Sequence, residues 1–148
     1  MQNETPPGCI FCNALKKTDD ENNLIVARGE RAFVILNRFP YTSGHIMVVP
    51  FEHQPSFEDV AAPTRAEIME LITRCMQVLR EIYNPDGFNI GANIGTVAGA
   101  GVADHTHFHV VPRWGGDTSF MSTLAGTRVL PESLEDTYQR LRQAWNRN

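Results

Sequence analysis

The chain has 148 residues, 42% of them hydrophobic and 20% charged, a globular rather than disordered composition sized for one domain over residues 1–148. Thirteen basic against seventeen acidic residues give a net charge of −4, which argues against nucleic acid as a partner but leaves room for a locally positive site that takes a small phosphorylated molecule. No apolar run approaches the roughly 18 residues of a membrane span, and Met1 to Pro7 lacks the basic and apolar stretches of a secretory signal, so the expectation is no membrane partner and a cytoplasmic location.

Cys9 and Cys12 form a Cys-x-x-Cys pair, with Cys75 alone; three cysteines do not make a disulfide framework. Lys16 to Asn23 is polar and reads as a surface loop. Two β-prone runs, Leu24 to Arg28 and Ala32 to Leu36, flank Gly29-Glu30-Arg31 and predict a hairpin. Asn37 to Gly44 is a Pro- and Gly-containing loop, and His45 to Pro50 reads as a third, mostly buried strand.

Ile68, Leu71, Ile72, Cys75, Met76, Leu79 and Ile82 recur at spacings of three and four and predict one long helix with an apolar stripe. Thr64 and Glu67 have the spacing of a capping box at its start, and Asn84-Pro85 stops it. Cys75 falls inside the stripe and is expected to be a packed, inert thiol. Phe88 to Asn93 predicts a fourth strand, Gly95 to Gly101 a small-residue loop, and Thr106 to Val111 a fifth strand closed by Pro112. Glu132 to Trp145 carries helical spacing. Strands in meander order with segregated helices imply an α+β fold on an antiparallel sheet.

Three of the five histidines, His105, His107 and His109, alternate within Asp104 to Pro112. On a strand they share one face at about 6.5–7 Å spacing, too far for direct hydrogen bonding but suited to an elongated anion such as a polyphosphate. Imidazole is a nucleophile near neutral pH and, once bonded to phosphorus, leaves readily when protonated. A surface histidine strip is the bland alternative. The preceding loop, with Gly95, Gly99 and Gly101, leaves backbone amides accessible to a phosphate. Arg113 adds positive charge or is simply solvated.

His105-Thr106-His107-Phe108-His109-Val110-Val111 resembles the His-x-His-x-His-x-x pattern of the histidine-triad (HIT) superfamily, and the resemblance runs from Cys9 through Asn37 and Gly44-His45 to Trp114. Pro112 to Asp117 followed by Phe120 is most similar to bacterial diadenosine tetraphosphate phosphorylases and related hydrolases. The resemblance implies a five-stranded antiparallel sheet with one long and one C-terminal helix. It implies cleavage of dinucleoside polyphosphates or nucleoside phosphoramidates, with His107 attacking the α-phosphorus and His109 and His105 flanking the phosphates. Asn37 matches a ribose-contacting position, Ile10, Phe11 and Leu36 approach the base pocket, and Asn93 lies near another nucleotide contact. The resemblance also implies a homodimer with a joined ten-stranded sheet.

One departure stands out. Related branches carry Gln and Ser or Thr where Gly101 and Val102 stand, so a hydroxyl that assists the leaving group is missing here. A backbone amide, Thr96 or Ser119 are the available substitutes, and a nucleotide-binding module with little turnover is the alternative function.

Cys9 and Cys12 are spaced to place two thiolates on one metal, against two reduced, unliganded cysteines. Zinc-containing members of the superfamily complete a Cys2His2 site with histidines that His53 and His105 match, which implies a structural Zn²⁺ tying the N-terminal segment to the triad. His45, at the start of its strand, is expected to be structural. A metalloenzyme with His107 and His109 as ligands is disfavoured by the lack of clustered carboxylates.

Overall fold

The expected hairpin forms around Gly29: β1 (Ile25–Arg28) pairs antiparallel with β2 (Ala32–Leu36), and the Gly29 amide donates to the Ala32 carbonyl at 2.8 Å. This computed structural model describes residues 8–117 and 132–147. A Cβ at Gly29 would lie 2.2 Å from Glu67 Oε2, the oxygen that accepts the amides of Arg31 and Ala32 at 2.9 and 3.0 Å. The turn is therefore closed by a carboxylate from the long helix.

β3 (Ile46–Pro50) continues the sheet beside β2, every residue buried. The chain then crosses in α2 (Ala62–Tyr83) to β4 (Gly87–Gly91) and returns as β5 (Phe108–Arg113). The sheet is five-stranded and antiparallel in the order β1-β2-β3-β5-β4, so the meander expectation fails for its last two members. Burial explains the inversion. Val110 and Val111 of β5 are buried, whereas β4, Gly-Phe-Asn-Ile-Gly, is half exposed and takes the edge. β5 also runs through Pro112, which was expected to end it. The β3 partnership stops at Val110, so the amide that Pro112 lacks would have had no partner on that side.

In α2 the expected stripe is inside: Ile68, Ile72, Cys75 and Leu79 are buried, together with Val78. The thiol of Cys75 is fully buried, and burial pushes its pKa up. The capping box does not form. The helix begins three residues earlier, with Ala61 rather than Thr64 as N-cap, and Thr64 lies within its first turn. Glu52, just past β3, takes over: its Oε2 accepts the Ala61 amide at 3.0 Å and its Oε1 accepts the Thr64 hydroxyl at 2.6 Å. The stop is as expected, with Asn84 left-handed at φ 47° ahead of Pro85.

A short helix without a sequence expectation, α1 (Ile10–Lys16), opens the described chain. α3 (Leu134–Arg147) packs Tyr138, Leu141 and Ala144 into the core. It also covers the outer edge of β1, where the Tyr138 hydroxyl donates to the Ile25 carbonyl at 2.9 Å and Arg142 donates to the Val26 carbonyl at 2.8 Å. No helix among the described residues is long and apolar enough to cross a membrane.

Candidate active site

Only His109 of the three alternating histidines lies within β5; His105 and His107 precede it, outside the ladder. The Thr106 amide donates to the Gln54 carbonyl at 2.7 Å instead of to a strand neighbour. Released from strand spacing, the His107 and His109 ring centroids approach to 4.9 Å, closer than a ladder would hold them.

His107 is 6% exposed, and its Nδ1 lies 3.0 Å from the carbonyl of His105. That contact requires the proton on Nδ1 and leaves Nε2 as a bare nitrogen. On His109, Nδ1 lies 2.8 Å from Nε2 of His45, whose own Nδ1 accepts the Tyr41 amide at 3.2 Å. The amide fixes the direction: His45 donates from Nε2 to His109, so the proton of His109 sits on its outer nitrogen, Nε2. The pair therefore offers one nucleophilic nitrogen and one donor side by side. Burial, followed by the neighbouring imidazoles, lowers His45 and His109 to about 4, and burial also holds His107 below 6.5, so all three are neutral at pH 7.

His105 serves differently from the expectation that its ring lines a phosphate. Nε2 donates to the Pro50 carbonyl at 2.8 Å, and Nδ1 faces Cys9 Sγ at 3.4 Å, Cys12 Sγ at 3.6 Å and His53 Nδ1 at 3.2 Å. Both nitrogens are engaged, and what His105 gives to His107 is its carbonyl. Cys12 Sγ lies 3.3 Å from His53 Nδ1, and all four donor atoms fall within 4.8 Å of one another. A tetrahedral zinc with Zn–N and Zn–S bonds of about 2.0–2.1 and 2.3 Å has donor–donor edges of about 3.3–3.8 Å. Four of the six donor–donor distances, at 3.2–3.6 Å, match those edges. The cluster's chemistry matches too: His105 Nδ1 is an unprotonated acceptor, and burial and the neighbouring Cys9 raise Cys12 to about 11, a cost that a cation among the thiols would offset.

A cleft of about 320 Å³ lies between α1 and the end of β2. Ile10, Phe11 and Leu36, expected near a base pocket, and Asn37, expected at a ribose contact, all line it. The Phe11 ring is 4.9 Å from that of His107, which puts the cleft beside the triad. The cleft also takes in Lys17, Arg38, Phe39 and Met47, which the sequence reading missed. Of these, only Met47 was legible, as the register partner of His109 once β3 and β5 are neighbours.

Other expected site residues stand apart. Arg113 is paired with Asp117 at 2.6 Å and donates to Asn89 at 2.5 Å, so its guanidinium already has partners. Asn93 lies against the Gly95–Gly101 loop, its amide 3.7 Å from where a Gly99 Cβ would be, and Gly99 has a φ of 98° that favours glycine. A Cβ at Gly101 would meet open space. Val102 is packed against the core. Thr96 begins a short 3-10 turn, and Ser119 and Phe120 fall outside the described residues.

Residues 18–116 match the family model of the HIT domain. The chain belongs to the HIT family. It is 41% identical over 133 residues to an AP-4-A phosphorylase of Mycobacterium tuberculosis, an alignment covering 90% of this chain and 68% of the relative. It is 29% identical over 105 residues to the adenosine 5'-monophosphoramidase hnt1 of Schizosaccharomyces pombe, covering 71% and 74% of the two chains. Among solved structures, a Zn-bound histidine triad family protein from Mycobacterium smegmatis superposes with a TM-score of 0.74 at 29% identity, over 95% of this chain and 94% of the other. The five-stranded antiparallel HIT fold thus holds a histidine pair, a cleft of about 320 Å³ and a Cys2His2 cluster on adjoining elements.

Proposed function

We propose that this HIT protein cleaves dinucleoside polyphosphates, or nucleoside phosphoramidates, through a transient nucleotidyl group on His107. The observation that carries the reading is the 3.0 Å contact from His107 Nδ1 to the His105 carbonyl, which frees Nε2 for attack beside a cleft sized for a nucleoside. The named activities of the phosphorylase and phosphoramidase relatives support it.

In the first step the Nε2 lone pair bonds to the α-phosphorus while the phosphorus–oxygen bond to the rest of the polyphosphate breaks, that oxygen keeping its electron pair. The outer N–H of His109 donates to phosphate oxygens and stabilises the charge developing there. Water or inorganic phosphate then attacks, the phosphorus–nitrogen bond breaks, and its electron pair returns to Nε2. Water gives its proton to solvent. With diadenosine tetraphosphate the products are ATP and AMP from water, or ATP and ADP from phosphate.

Cys9, Cys12, His53 and His105 would hold Zn²⁺ as a closed site with no position for substrate, where the ion supplies a cross-link and fixed charge. We assign the dimer to the open β4 edge, where Ile90 is 41% exposed. Cysteines used as metal ligands at Cys9 and Cys12 and as a packed thiol at Cys75, rather than as disulfides, support a reducing, cytoplasmic setting.

The test is turnover of diadenosine tetraphosphate with and without phosphate, with mass spectrometry of the protein for a nucleotidyl adduct on His107. His107→Ala is expected to retain nucleotide binding and lose both turnover and adduct; equal rates for the two proteins reject the nucleophile. Val102, which offers no hydroxyl, favours the second reading, a nucleotide-binding module with little turnover. Tight AMP binding without an adduct would select it.

A further inference from the structure

A dinucleoside polyphosphate has two bases, and the cleft beside Phe11 has room for one. From Phe11 the rings run to His107 at 4.9 Å, from His107 to His109 at 4.9 Å, and from His109 to Tyr41 at 6.4 Å with planes 24° apart. Tyr41 thus adjoins His109, the member of the row after His107, and is not among the residues that line the cleft. The residue is 65% exposed, although its ring sits 4.6 Å from the buried His45 ring.

The loop beneath that ring is pinned. The Tyr41 amide donates to His45 Nδ1 at 3.2 Å, the Thr42 hydroxyl donates to the Pro112 carbonyl at 3.0 Å, and the His45 amide donates to the Thr42 carbonyl at 3.3 Å. Pro40 restricts the backbone immediately before it. A large aromatic surface is therefore held in place by its backbone while its ring stays open to solvent. Such a surface costs little to order on binding and suits a flat, apolar-faced ligand.

We infer that Tyr41 is the stacking platform for the base of the departing nucleoside, an inference that rests on the dinucleotide reading above. The polyphosphate passes along His107 and His109, and the second base leaves the histidine row where the Tyr41 ring begins. Stacking reads a base by its face rather than its edge, so the departing base is weakly selected.

Diadenosine tetraphosphate and adenosine 5'-tetraphosphate share the first nucleoside and the phosphate chain and differ in the second nucleoside. The ratio of their kcat/KM values is measured for wild type, Tyr41→Ala and Tyr41→Phe. Stacking is worth about 1–3 kcal/mol per base, so Tyr41→Ala is expected to lower the ratio by about 5- to 150-fold, with Tyr41→Phe near wild type. An equal loss on both substrates overturns the inference and makes Tyr41 a support for the His45–His109 pair. An unchanged ratio with unchanged rates overturns it as well. Wild type inactive on both substrates and on adenosine phosphoramidate would instead remove the catalytic reading on which it rests.

Discussion

His45 and His109, 64 positions apart in sequence, meet at 2.8 Å between Nε2 and Nδ1, and the Tyr41 amide behind His45 sets which of them donates. The contact orients the outer N–H of His109, so its loss should be felt in the chemical step. His45→Phe keeps a ring in the buried site and removes the donor. A positioned acid–base group contributes about 10²- to 10⁴-fold, and losing its support is expected to lower kcat by about 10- to 100-fold with KM nearly unchanged. Steady-state kinetics on diadenosine tetraphosphate checks it; an unchanged kcat would leave His45 a packing residue only.

The same two imidazoles make folding acid-sensitive. Burial, then neighbouring imidazole charge, lowers both from 6.5 to about 4 in the folded protein. The unfolded chain therefore binds more protons between those values, and stability falls as pH drops from about 6.5 toward 4. Above 6.5 this contribution is complete and does not change. Urea midpoints at pH 7.5, 6 and 5 should decline, and the decline should be shallower in His45→Phe. A midpoint that rises on acidification would contradict the neutral, buried pair.

Elemental analysis is expected to find one zinc per chain, retained in His107→Ala and lost in Cys12→Ser. Structural zinc sites contribute folding free energy directly. For a chain of this size each kcal/mol shifts Tm by about 2–4 °C, so Cys12→Ser or prolonged chelation should lower Tm by roughly 10 °C or more. Retention of zinc by Cys12→Ser together with its loss in His107→Ala would move the metal to the histidine row.

Sedimentation of the wild type should give a dimer, and Ile90→Lys, which places a charge on the exposed β4 edge, should give a folded monomer. Lysine is a common blocker of edge pairing. A dimer that survives the substitution would put the interface elsewhere.

Legibility in the sequence followed the range of each interaction. The α2 stripe and the Asn84-Pro85 stop depend on neighbours within a turn or two, and both were readable. The helix start was not, because the cap comes from Glu52, which reaches back across the loop to Ala61 and Thr64 and leaves Glu67 for the hairpin turn. α1, at seven residues, is too short for its period to declare itself, yet it carries Ile10 and Phe11 to the cleft. The order β5 before β4 is a tertiary outcome that no strand pattern announces. Within the site, the alternating histidines and the cysteine pair were visible as patterns. The division of labour in His105, ring toward the thiols and carbonyl toward His107, appears only when Pro50, His53 and the cysteines converge.

The bonds from Tyr138 and Arg142 to the carbonyls of Ile25 and Val26 give the sheet a sealed margin on one side and, among the described residues, an unsealed one on the other. A ribbon with a single sticky border joins an identical ribbon once, around a two-fold axis, and then has no border left to extend. In the dimer proposed above, the terminal helix would thereby limit association to a pair and leave no second border from which a fibre could grow.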